Sequence, residues 1–122
     1  MKSTILAATS EAPAEARHFV HDSLDELGCT DDVSTSAELL VSEVVTNALS
    51  QHPEQLTVSI DTSSDSVVRF EVSAPAPVEI DEDPSDPTQR QFARRCVDGI
   101  AEEWASDVDR TRTSTWFELA AR

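Results

Sequence analysis

Ala37-Glu-Leu-Leu-Val-Ser-Glu-Val-Val-Thr-Asn-Ala48 carries apolar residues at Ala37, Val41, Val44, Val45 and Ala48, with Leu40 and Leu49 beside them. Steps of three and four are the period of a helix that buries one stripe. The helix is expected over about 32–50, with Thr35-x-x-Glu38 as a capping box in its first turn and Pro53 just beyond its end. Glu43 and Asn47 stand one helical turn apart and project together. An amide oxygen suits Mg²⁺, and a carboxylate beside it can orient or deprotonate a hydroxyl or a water. The same spacing also fits the plain polar flank of a helix.

Working outward, a first amphipathic helix is expected over 13–27, where Ala16, Phe19, Val20, Leu24 and Leu27 share a face before Gly28 stops it. A short strand over 3–8 precedes it. After the central helix, Leu56, Val58 and Ile60 alternate with polar residues, a Thr-Ser-Ser-Asp-Ser turn follows, and Val68, Phe70 and Val72 alternate again, which describes a hairpin. Residues 74–88 carry Pro75, Pro77, Pro84 and Pro87 among Glu79, Asp81, Glu82, Asp83 and Asp86, so a loop of about 15 residues is expected, long enough to be a functional lid. A third helix over about 88–105 turns Phe92, Cys96, Val97, Ile100 and Ala101 inward. A last strand over 113–120 places Thr115, Phe117 and Leu119 on one face and Ser114, Trp116 and Glu118 on the other. This order implies a single α+β domain over 1–122, a two-layer sandwich in which three helices cover one face of a mostly antiparallel or mixed sheet.

Composition narrows the function. The chain holds 24 acidic and 9 basic side chains in 122 residues, a formal charge of −15. Such a chain repels phosphate backbones, so direct nucleic-acid binding is disfavoured and a basic protein partner is favoured. Adaptation to salt and simple solubility account for the acidity equally well. No apolar run nears the roughly 20 residues of a membrane span, and the apolar run at 4–8 is shorter than the about 7 to 15 residues of a signal-peptide core, so a cytoplasmic protein is expected. Cys29 and Cys96 lie far apart in sequence and are expected as two buried free thiols.

The segment 37–48 resembles the N-box of the gyrase, histidine-kinase and anti-sigma-factor ATPase superfamily (GHKL), in particular its small anti-sigma-factor and serine-kinase branch. The likeness extends over nearly the whole chain: 13–27 resembles the first helix of that fold, the hairpin its central strands, 97–104 the helix after its lid, and 114–119 its closing strand. It implies the histidine-kinase-like ATPase fold, with residues 74–88 in the place of the lid. It also implies that Glu43 is the general base and that Asn47 ligates the Mg²⁺ of bound ATP. Ser114 falls where that family has a threonine near the adenine.

The remaining nucleotide motifs depart from the pattern. Ala74 and Pro75 stand where the family has an aspartate that accepts the adenine amino group and a glycine that lets the backbone approach the base. Gln91 and Ala93 stand where it has the glycines that cradle phosphate. The chain has two glycines in all, Gly28 and Gly99, and neither lies in such a loop. Gln51 replaces a histidine often found four residues after the asparagine, and His52 follows it. Arg90, Arg94 and Arg95 are the surviving candidates for phosphate contact, or else a solvated face paired with the acidic lid.

The resemblance therefore implies an anti-sigma-factor-like regulator that binds proteins, either a sigma factor or an antagonist of the anti-sigma factor. Nucleotide binding would be weak or lost, with no cofactor expected, and a dimer is compatible with the sequence. The alternative is an active ATP-dependent serine kinase using Mg-ATP. A third reading, an acidic decoy of a DNA-binding protein, rests on charge alone. Other chemistry lacks a pattern: His18 and His21 have no third ligand at a fixed spacing, no G-x-S-x-G elbow exists, and Trp104 and Trp116 suit core or edge packing.

Overall fold

The computed structural model describes residues 2–29, 31–49, 53–62, 66–75, 101, 103–108 and 112–120. The described elements are β1 (Lys2–Ala7), α1 (Ala12–Glu26), α2 (Asp31–Leu49), β2 (Gln55–Asp61), β3 (Val67–Pro75), β4 (Glu103–Val108) and β5 (Arg112–Ala120). The strands form one five-stranded sheet in the order β1-β2-β3-β5-β4, and each neighbouring pair is antiparallel. The architecture is α+β, with α1 and α2 packed together over the sheet. Neither of these helices is long and apolar enough to cross a membrane.

Each helix forms where its apolar period demands. In α1, Ala12, Ala16, Val20 and Leu24 are buried and Phe19 packs partly against the core. Pro13 sits in its first turn, where a missing N–H costs nothing. Its end is set by Gly28, whose φ of 71° is open to glycine at little cost. The Gly28 N–H then donates to the Asp25 carbonyl at 3.1 Å and that of Cys29 to the Leu24 carbonyl at 3.1 Å, the pairing of a Schellman cap. Leu27, expected on the inner face, is instead 47 % exposed, because the cap turns it off the helical stripe.

In α2, Ala37, Leu40, Val41, Val44 and Val45 are buried, with Ala48 and Leu49 partly so. Asp31 and Asp32 occupy its first turn, where carboxylates face the positive end of the helix dipole. The helix starts earlier than the expected capping box requires, so Thr35 lies inside it and does not cap it. Ser34 takes up Glu38 instead, its hydroxyl donating to Oε2 at 3.1 Å across one turn.

The strands bury alternate residues: Leu56, Val58 and Ile60 of β2, Val68, Phe70, Val72 and Ala74 of β3, and Phe117 and Leu119 of β5. Phe70 and Phe117 face each other in register and stack with centroids 5.0 Å apart. These side chains and the helix stripes make one continuous core. α1 lies over β1, and α2 lies over β3 and β5.

Two sequence expectations change here. Ala74 and Pro75, read as the start of the loop, continue β3 and pair with Thr113 and Arg112. Glu103, Trp104 and Ala105, read as the end of a third helix, belong to β4, where Trp104 pairs with Phe117 and packs against the core. The sheet edge beside β5 supplies hydrogen bonds that override a helical pattern resting on few apolar residues. Ala101, expected inside that helix, is not helical and packs partly against the core. Residues 88–100 and 102 of the expected helix and the lid over 76–88 lie outside the described residues, as do Gln51 and His52. Cys29 is a free thiol and half-buried, not fully buried. Cys96 lies outside the described residues.

Candidate functional site

Helical period decides what surrounds Glu43 and Asn47. Along α2 the buried stripe runs from Ala37 to Val45, with Glu38 on one border and Asn47 on the other. The Glu38 border meets α1, since Glu38 Oε2 lies 3.5 Å from Nδ1 of His21. Asn47, and Glu43 one turn before it, therefore occupy the border turned away from α1. Because α2 lies over β3 and β5, this border overlooks the β5 side of the sheet. Glu43 and Asn47 are both half-buried.

The floor beneath this border is the helix-facing side of β3 and β5. Phe117 and Leu119 are buried there, so by strand alternation Thr113 and Thr115 point to the same side. Both threonines are half-buried. Ala74, 5 % exposed, pairs with Thr113 at the end of β3, and Pro75 follows it. At that corner β3 presents a methyl group and then a residue without an N–H.

Ser114 is on the other side of the sheet. It pairs with Ser73, and Ser73 accepts a hydrogen bond from Arg112 Nη2 at 2.7 Å on the face that no described helix covers. The expectation that Ser114 shares a site with Glu43 and Asn47 is thus corrected: a strand period of two places it on the opposite face, and Thr113 and Thr115 are the hydroxyls below α2. Arg90, Arg94 and Arg95 lie outside the described residues. The Oδ1 of Asn47 is buried and meets no donor among the described residues, while the residue is engaged elsewhere. Among the described residues no group of three His, Cys, Asp or Glu is gathered as a metal site. His21 of α1 turns toward Glu38.

The face of β3 and β5 turned away from α1 and α2 holds a second polar cluster, which spacing within one element does not reveal. Arg69 pairs with Glu118 at 3.4 Å, and its guanidinium lies 4.1 Å from the ring centroid of Trp116. Arg112 reaches Glu71 at 3.1 Å as well as Ser73. The signal was present in the alternation of Arg69, Glu71 and Ser73 against Arg112, Ser114, Trp116 and Glu118. Only the strand register reveals which of them meet.

Among the described residues the helix layer carries an excess of exposed acidic side chains. Glu15, Asp22, Asp25 and Glu26 of α1 and Asp31 and Asp32 of α2 are exposed, and Arg17 is the one Lys or Arg in the two helices. Lys2 of β1 answers part of this charge by pairing with Glu26 in the last turn of α1. Leu39, 42 % exposed, stands on the outer side of α2. Compared with models of known families and with curated proteins, the chain matches none.

Proposed function

We propose that this chain is an anti-sigma-factor-like regulator with a histidine-kinase-like ATPase fold, completed by a third helix over the sheet, and that it acts by binding another protein. The observation that carries the reading is the corner formed by Ala74, Pro75 and Thr113. A base lying under α2 would need an acceptor and a close backbone approach there, and β3 offers an alanine methyl and a proline. Glu43 and Asn47 keep the catalytic half of the arrangement while the recognition half is gone.

The acidic outer surface of α1 and α2, with Leu39 exposed in it, suits a basic partner face carrying an apolar contact, such as that of a sigma factor or of an anti-sigma-factor antagonist. Association driven in this way is fast at low salt and slows as salt rises. The family resemblance supplies the partner class, and the charge distribution supports it.

The second reading, an ATP-dependent serine kinase, is favoured by one observation: Glu43 and Asn47 share the α2 border above the Thr113 and Thr115 hydroxyls. In it Asn47 would hold Mg²⁺, which lowers the charge of the phosphates, and Glu43 would take the proton of the attacking hydroxyl. Calorimetric titration with ATP and ADP in magnesium, at low and at molar salt, separates the two. Silence at both salts is expected. Low-micromolar binding would overturn the proposal and bring the kinase forward, and Glu43→Ala would then abolish phosphate transfer to a cognate antagonist with the fold intact.

A further inference from the structure

We propose that the outward stripe of α2, made by Asp32, Leu39 and Glu43, seats a helix of a partner protein that carries an apolar residue between basic ones. The inference rests on the reading of the chain as a protein-binding regulator, and it names the residues that do the binding.

Helical period assembles the stripe. Asp32, Leu39 and Glu43 follow one another at steps of seven and four, so they stand on one side of α2 within about 40° of each other. Ala37, Val41, Val44 and Val45 are buried on the opposite side. Leu39 is 42 % exposed between the two carboxylates. A stripe of this period is matched by the ridges of another helix, with the leucine as the apolar contact at its centre.

The polar residues beside Leu39 lose little when they are covered. The Ser42 hydroxyl donates to the Leu39 carbonyl at 3.4 Å, and the Thr46 hydroxyl to the Ser42 carbonyl at 2.7 Å. Glu38 is turned to Ser34 and His21. A partner lying along this side therefore leaves these groups with the partners they already have.

Electrostatics specify the partner. The charged residues of α2, Asp31, Asp32, Glu38 and Glu43, are all acidic, and its last turn holds no basic side chain to offset the negative end of the helix dipole. Among the described residues the ion pairs engage neither Asp32 nor Glu43. Glu43 is half-buried, and a cation brought beside it is screened less than one beside a fully wet carboxylate. Arginine or lysine on the partner, spaced to reach Glu43 one turn from Leu39 and Asp32 two turns from it, supplies the charge that α2 lacks. Glu43 then has a use that needs no nucleotide.

Fluorescence anisotropy with two labelled helical peptides of equal charge tests this. Both carry arginines four and seven residues to each side of a central position, which is leucine in one and glutamine in the other. The leucine peptide is expected to bind about tenfold tighter. Leu39→Ser should remove that preference and leave the affinity of the glutamine peptide unchanged. Leu27→Ser, which alters a leucine of 47 % exposure off the stripe, should leave the preference intact. Glu43→Gln should weaken both peptides about two- to fivefold and flatten their salt dependence.

Equal binding of the two peptides overturns the proposal, and so does a preference that survives Leu39→Ser or falls as far with Leu27→Ser. Glu43→Gln binding at wild-type strength overturns it as well. Leu39 already meets water, so Leu39→Ser is expected to keep the wild-type unfolding midpoint, and a lost preference then reads the surface and not the fold. Low-micromolar ATP binding with the leucine preference intact would overturn the regulator reading alone. Silence toward ATP without the preference would overturn the stripe alone.

Discussion

The face of the sheet under α1 and α2 and its opposite face are made by alternate residues of the same strands, and they cohere by different means. Under the helices, Val58, Ile60, Phe70, Val72 and Phe117 are almost wholly removed from water, and each contributes through apolar area and close contact. On the other side, Arg69, Glu118, Trp116, Arg112 and Glu71 are joined by ion pairs and a cation–ring contact that remain partly wet, with a hydrogen bond from Arg112 to the buried Ser73. Burial makes an interaction costly to lose, whereas solvent takes over much of what an exposed ion pair provides. The face under α1 and α2 therefore contributes most of the stability among the described residues.

The largest expected effect is on the covered face. Phe70→Ala removes one ring of the Phe70–Phe117 stack from a site of 0 % exposure and should cost about 3–5 kcal/mol, read as a lower denaturant midpoint. Arg112→Ala leaves the buried Ser73 hydroxyl without that donor and should cost about 1 kcal/mol. Arg69→Ala, which loses a half-exposed ion pair and the contact with Trp116, should cost about 0.5–1 kcal/mol, and the ionic part of that loss should shrink in molar salt while the Phe70→Ala loss persists. An Arg69→Ala cost as large as that of Phe70→Ala would break the contrast between the faces. At the small end, Ile5→Lys should leave the melting of the single chain almost unchanged, since its side chain already meets water.

On that face β3 and β5 carry the ion pairs, whereas β1 and β2 set Ser3 against Ser59, Ile5 against Thr57 and Ala7 against Gln55, with Asp61 beside Arg69 at the far end of β2. This second contrast sharpens the first. The charges on β3 and β5 are paired within the sheet, while Ile5 on β1 is exposed.

Much of the architecture was legible in residue periods. Steps of three and four located α1 and α2, and alternation located β2, β3 and β5, because one-sided burial imposes its own period on the chain. β4 escaped: its six residues include few strongly apolar ones, and their pairing with β5 is a contact distant in fold, not a local preference. The placement of Ser114 escaped at the level of the site although its face was read correctly, because a resemblance supplied a role and the strand register supplied a different neighbour.

By itself the sequence determined α1 and α2, the hairpin, the acidic balance and the pairing of Glu43 with Asn47 on one turn, all consequences of composition or of spacing within a single element. Tertiary structure alone decided that Asn47 and Glu43 lie on the border of α2 away from α1, that Thr113 and Thr115 lie on the side of the sheet below them, and that Arg69, Trp116 and Glu118 meet. Those relations depend on strand order and register, set by which apolar surfaces fit together across the core, and so they join residues whose separation along the chain carries no trace of the contact.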